Sequence, residues 1–254
     1  MIMKVFGLLK KIFFILLFFA VLGYVIYAIT NMSDYDPEEK CTDVVLVVED
    51  NPNAGFIDKK GVETLLKEKN LFPKGEKMVD IDTRMIEQTV GENPFIENVE
   101  CYKTPDSKLC LHVIQRTPVM FIMPDNADSY FVDAKGNIIP GANYPVNMPV
   151  ATGNISKEYA AKQLTEFACF LRDNSFWNKQ VEQVNVVVDR NNKRVVEIVP
   201  RVGNHIVYLG SIKDYQKKLK RLRTFYEKAM KEVGWNKYKR INLEFDNQII
   251  CTKK

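Results

Sequence analysis

From Ile12 to Ile29 the chain reads IFFILLFFAVLGYVIYAI, without a charged residue. As a helix rising ~1.5 Å per residue, this run reaches ~27 Å, close to the hydrocarbon thickness of a bilayer. Lys4, Lys10 and Lys11 precede it, and Asp34, Asp36, Glu38 and Glu39 follow it. Basic residues stay on the cytoplasmic side, so this pattern predicts an inside N-terminus and a body outside the cytoplasm. Tyr24 and Tyr27 fall near the outer end, where amphipathic rings suit the interface. A cleaved signal peptide would have a shorter apolar core and end in small residues, and no Ala-x-Ala follows here. The run is therefore read as a retained anchor.

The rest of the 254 residues mixes apolar and charged side chains in globular proportion, and the net charge of +4 is spread along the chain. This does not point to a nucleic-acid partner. Five cysteines (Cys41, Cys101, Cys110, Cys169 and Cys251) leave at least one unpaired in an oxidising compartment. Their spacings, with His112 and His205 the only histidines, match no zinc pattern.

Residues 31 to 43, with Asp36-Pro37, read as a tether. The β-branched run Val44 to Val48 predicts a buried strand. Asp58 can cap a helix reaching about Asn70, with Val62, Leu65 and Leu66 on one face. Asp82 or Thr83 opens a second helix, with Met85, Ile86 and Val90 inward and Gly91 at its end. Strands Ile96 to Lys103 and Leu109 to Arg116 flank the turn Thr104-Pro-Asp-Ser. The order β-α-α-β-β makes a compact unit with helices on one face of a small sheet.

Beyond Pro118, strands are predicted at Val119 to Met123, Tyr130 to Val132, Ile138-Ile139, Val184 to Val188, Val195 to Val199 and Ile206 to Leu209. Residues 140 to 149 hold three prolines and one glycine and read as loop. Helices are predicted from Lys157 to about Asn174 and from Asp214 to Val233. The second has the stripe Tyr215, Leu219, Leu222, Tyr226, Ala229 and Val233, and Gly234 as its left-handed cap. A final hairpin pairs Lys239 to Phe245 with Gln248 to Thr252 around Asp246-Asn247. The fold class is α+β, divided as tail 1–11, span 12–29, tether 30–43, first domain 44–116 and second domain 117–254.

VECYKTPDSKLCLHVIQRTPVMFI, YFVDAKGNIIP, MPVATG, YLGSIKDYQKKLKRL and INLEFDNQII occur in this order. Together they resemble, over nearly the whole chain, the FtsQ/DivIB family of bacterial cell-division proteins. The matching features are a hairpin leading into Glu/Gln-Arg-x-Pro, an Asp-x-x-Gly hairpin, a Leu-Pro-x-x-x-Gly loop, a Leu-Gly before a Lys-containing helix and a closing hairpin. The resemblance implies a POTRA (polypeptide-transport-associated) first domain, a second β domain and a non-catalytic scaffold at the septum of the inner membrane. It also implies partners of the small bitopic FtsB and FtsL type. The first strand lacks the family's usual Gly-Asn turn, and Asn242 and Glu244 stand where Asp and Arg are common.

No phosphate loop, nucleophile setting or metal spacing is present in the sequence, so no catalytic residue, metal or cofactor is assigned. The rival class is a membrane-anchored envelope enzyme or cell-wall-binding protein. His205 reads as a surface residue starting a strand. The lysines and arginines at 213–231 read as a solvated helix face, or alternatively as a surface for an acidic partner or anionic headgroups. Cys101 and Cys110 would face one another across a symmetric loop, whereas the apolar alternation turns Cys110 to solvent. The candidate partner site is the last strand and its corner: Phe245, Gln248, Ile249, Ile250, Cys251 and Thr252. A terminal strand at a sheet edge can accept another chain's strand, although Thr252, Lys253 and Lys254 could equally blunt that edge.

Overall fold

A computed structural model describes residues 2–31, 37–49, 55–141 and 148–254. Helix α1 (Ile2–Asn31) contains Lys11–Ala28, which is long and apolar enough to cross a membrane and has none of its length buried among the described residues. Residues 32–36, within the expected tether, and 50–54 and 142–147 lie outside the described residues.

The first sheet has the order β1-β3-β2, from β1 (Asp43–Val48), β2 (Ile96–Lys103) and β3 (Lys108–Gln115). β1 runs parallel to β3, and β2 antiparallel to it. α2 (Lys59–Glu68) is capped by Asp58, whose carboxylate accepts from the Gly61 N–H. α3 (Thr83–Gly91) is capped by Asp82. Both helices close over one face, where Leu66, Ile86, Leu109, Leu111 and Val113 are buried and Leu65 is partly buried. Two expectations need correction. β1 is half-exposed rather than buried, because β3 covers only one of its edges and the helices only one of its faces. Met85 is exposed, since the inward stripe of α3 passes through Ile86 and Val90.

The β2–β3 register resolves the cysteine question. Cys101 stands opposite Leu111 and Tyr102 opposite Cys110, so the two thiols occupy opposite faces. Burial, with the Glu87 carboxylate beside it, pushes the Cys101 thiol up to about 12.

The second sheet has nine strands in the order β12-β11-β10-β9-β8-β7-β4-β5-β6. In chain order they are β4 (Pro118–Pro124), β5 (Tyr130–Asp133), β6 (Ile138–Pro140), β7 (Val150–Gly153), β8 (Val181–Val188), β9 (Arg194–Pro200), β10 (Ile206–Gly210), β11 (Tyr238–Asn242) and β12 (Ile250–Lys253). β7 lies parallel between β4 and β8, just past the predicted loop 140–149 and in the motif that the resemblance made a loop. Four residues directly after Pro149 leave too short an alternation to reveal it. Helix α4 (157–173) carries a π turn at Ala160–Leu164. A short unanticipated helix, α5 (Ser175–Gln180), buries Trp177. Helix α6 (215–233) has a second π turn, Tyr226–Met230, which adds a residue to the repeat and moves the inward position from Ala229 to Met230. These helices pack over a core that includes Phe167, Val186, Val196, Leu222, Tyr226 and Leu243.

The two sheets meet at Arg116, between β3 and β4. Its Nη1 bonds Asp133 Oδ2, while Lys135 Nζ reaches Glu97 on β2 at 2.7 Å. Phe56 stacks on Phe95 with centroids 5.3 Å apart and meets Phe131 of the second sheet at 5.8 Å.

Candidate partner-binding edge

β12 is the last strand of the nine-stranded sheet, paired with β11 on one side. Its antiparallel register sets Asn242 opposite Ile250, Ile241 opposite Cys251 and Arg240 opposite Thr252. The Leu243 N–H donates to Tyr208 O on β10, so alternate residues 241 and 243 face β10 while 240 and 242 face β12. On β12, therefore, Ile250 and Thr252 exchange hydrogen bonds with β11. Cys251 and Lys253 turn their N–H and C=O groups to the open edge. The Lys254 N–H returning to Lys237 O at 3.3 Å has the same parity.

Instead of a two-residue turn, seven residues (243 to 249) join the strands, with Asn247 at φ 61°. Of the six candidate residues, Ile250, Cys251 and Thr252 lie on β12, whereas Phe245, Gln248 and Ile249 belong to this loop. Phe245 and Ile250 are exposed, at 46% and 45%. Ile249 and Cys251 are partly buried against the core. The structure thus brings the six together as one surface of two kinds, a strand edge and a corner.

The sequence did not reveal the residue that holds the corner. Arg221 on α6 donates from Nη2 to Leu243 O at 2.8 Å, and from Nη1 to Phe245 O at 2.6 Å and Gln248 O at 3.4 Å. A loop without its own ladder leaves carbonyls that need donors, and a planar guanidinium serves several at once. Lys218 acts similarly one turn earlier. It is buried, and its Nζ donates to Leu209 O at 3.0 Å and Ser211 O at 2.7 Å. Burial lowers its pKa, opposed by Asp214 and Glu244. The solvated-face reading of this helix therefore fails at Lys218 and Arg221. Only the Leu-Gly before the helix hinted at this, since Lys218 meets the carbonyls of Leu209 in β10 and of Ser211 just past it. Between α6 and the loop runs a groove of about 390 Å³, lined by residues including Phe225, Lys228 and Ile249.

His205 also departs from expectation. It is buried, with Nε2 2.8 Å from Tyr226 Oη and its ring stacked near Trp235. Burial lowers its pKa, against the raising effect of the Trp235 carbonyl. Because β10 begins directly after it, the ring turns inward under α6 rather than outward. Among the described residues, no three His, Cys, Asp or Glu side chains cluster as a metal site.

A family described as FtsQ/DivIB, C-terminal related, matches residues 117–252, and a POTRA-like domain family matches residues 39–114. The cell division protein FtsQ of Geotalea daltonii is 24% identical over 191 residues, spanning 71% of this chain. The match covers 66% of that relative, just under two thirds of its length.

Proposed function

The chain belongs to the FtsQ/DivIB family of cell-division proteins, and from that premise we propose that it is a non-catalytic scaffold linking early and late division proteins at the septum. The apolar helix α1 fits a membrane anchor. In this reading residues 1–11 are cytoplasmic, 12–29 span the inner membrane and 30–43 tether the POTRA-like domain 44–116 and the β domain 117–254 outside. Small bitopic partners of the FtsB and FtsL type add a strand to β12, with Phe245, Gln248, Ile249, Ile250, Cys251 and Thr252 as the contact surface.

The observation that carries this reading is the open side of β12, where Cys251 and Lys253 present backbone groups beside exposed Phe245 and Ile250. The sequence also offered Thr252, Lys253 and Lys254 as an edge-blunting device. What favours a docking role is the pair of exposed apolar residues beside the edge, Phe245 and Ile250, which blunting does not require. Localisation of the tagged full chain in dividing cells tests the role. Enrichment at mid-cell, together with co-purification of small bitopic division proteins, is the expected result. A uniform envelope signal without such partners would overturn the scaffold reading.

A further inference from the structure

The POTRA-like sheet has two edges of different character. Edge β2 carries Glu97, Glu100 and Lys103, has a register irregularity between Ile96 and Asn98, and has its outward Cys101 N–H taken by Glu87 Oε1 at 2.7 Å. These are the devices that keep a strand edge from pairing. Edge β1 has neither the irregularity nor the taken N–H, and Asp43 at its start is its one charged residue: Asp-Val-Val-Leu-Val-Val. The Glu49 N–H donates to Val113 O at 3.0 Å, so by alternation Val45 and Val47 also face β3. The N–H and C=O groups of Val44, Leu46 and Val48 point the other way, where no strand among the described residues pairs with them. The side chains of Val44, Leu46 and Val48 pack toward the core, whereas Val45 and Val47 stand on the outer face, 39% and 43% exposed.

We propose that β1 is a self-association edge, pairing antiparallel with β1 of a second copy about a two-fold axis through Leu46. This goes beyond the scaffold reading and uses none of the β12 surface. The register is self-complementary, as a two-fold contact requires. With Leu46 opposite Leu46, Val44 faces Val48 of the second copy, and all three outward-pointing residues of each strand fall in hydrogen-bonded pairs. The same register sets Val45 opposite Val47 of the second copy in the close, non-hydrogen-bonded pairs, so each exposed valine covers another. At the ends Asp43 meets Glu49 of the second copy; Lys74 Nζ lies 2.9 Å from Asp43 and offsets its charge, and the His112 ring lies 3.3 Å from Glu49.

A second copy suits this edge better than a foreign strand because one register satisfies the backbone and the valines of both strands at once. Anchoring favours it as well. The chain between Asn31 and Asp43 can extend at most ~40 Å, so every anchored copy offers β1 within a narrow layer above the bilayer. A single strand pair buries less than the ~1,000 Å² expected of a stable soluble interface. Confinement to a membrane raises the effective concentration that such a contact needs.

The test is cross-linking of the full chain in membranes. Val45 lies beside Cys110 on the same face, so the background is Cys110→Ser. Oxidation of the Val45→Cys, Val47→Cys chain in that background should give a disulfide-linked dimer. Adding Leu46→Pro removes one outward N–H without touching the β3 ladder and should lower the yield several-fold. Glu49→Lys, which sets a lysine against Asp43 of the second copy, should raise it. A dimer yield no higher than that of a cysteine pair placed on β2, or one indifferent to both changes in a chain whose circular dichroism is unaltered, would overturn the proposal. So would cross-linking solely to a different protein.

Discussion

Arg116 Nη1 lies 2.9 Å from Asp133 Oδ2, joining the end of the first sheet's last strand to the first hairpin of the second sheet. The carboxylate also accepts the N–H groups of Lys135 and Asn137 at 2.9 and 2.8 Å and the Asn137 side-chain amide at 2.9 Å. Two motifs that look separate in the sequence, Gln-Arg-Thr-Pro and Asp-Ala-Lys-Gly, are therefore the two halves of one clamp. The clamp ties the two sheets where the chain passes from one to the other, and so bears on the angle between them.

Arg116→Ala should loosen that angle. Asp133 keeps its bonds to the turn, so the expected cost is ~1–3 kcal/mol rather than the larger loss of a stranded buried charge. Small-angle scattering of the chain from residue 37 onward should show a broader range of shapes. Unchanged scattering and stability would show that the phenylalanine contacts alone set the angle. The clamp also carries a pH signature. Burial acts to raise the Asp133 pKa, but the bonds from Asn137, Arg116 and Lys135 outweigh it, and the net shift is downward. A depressed carboxyl stabilises the fold above its unfolded value of ~3.9, and that contribution is lost as pH falls below it.

His205 should act in a higher pH window. Its pKa is lowered in the fold by burial. Below the unfolded value of ~6.5 the unfolded chain binds a proton that the native ring resists, so stability falls as pH drops from about 6.5. Urea midpoints measured between pH 7.5 and 5 should decline, and His205→Gln should flatten the decline. An equal slope in that variant would assign the effect elsewhere.

Leu111 is fully buried in the first core. Leu111→Ala should cost ~2–5 kcal/mol. A loss under about 0.5 kcal/mol in a denaturant titration would mean that the site collapses around the smaller side chain.

What could be read from the sequence followed from pattern length. β2, β3, α2 and α3 have clear periodicity and caps, and their bounds agree with the reading to within a residue or two. β7 escaped because four residues after Pro149 carry no usable alternation, and its membership in the sheet is decided by β4 and β8 on either side. Met230 replaced Ala229 because a π turn is invisible to a 3.6-residue repeat. Lys218, Arg221 and His205 were misjudged for a shared reason. Polar residue type predicts exposure, and only tertiary structure reveals the carbonyls or hydroxyl that make burial tolerable. At the candidate edge, the residues were legible as a terminal hairpin, but the seven-residue corner was not. Asp246-Asn247 mimics a tight turn while Arg221 stabilises a wider one.

Arg221→Ala should release that corner. Three backbone carbonyls lose their donor, and the loop from 243 to 249 should gain mobility. Hydrogen exchange should speed up at Ile250 and Thr252, whose N–H groups face β11, with little change in the first sheet. Arg221→Lys should rescue only in part, because an ammonium cannot span the same fan of acceptors. Unaltered exchange in the alanine variant would show that the corner holds itself.

The strand-addition mechanism is best tested where the backbone faces outward. Ile250 pairs with Asn242 in the hydrogen-bonded class, so Ile250→Pro breaks the hairpin itself and confuses folding with binding. Cys251 turns its N–H to the open edge, and Cys251→Pro should leave the β11 ladder intact while removing a donor that an added strand needs. Its circular dichroism and melting temperature should stay close to wild type. Capture of small bitopic division proteins from solubilised membranes should fall. Phe245→Ala, which leaves every backbone group in place, should weaken capture less than Cys251→Pro if main-chain pairing dominates, and more if the exposed ring does. A folded Cys251→Pro chain that captures those partners as well as wild type and supports division would show that the partners do not bind by extending this sheet.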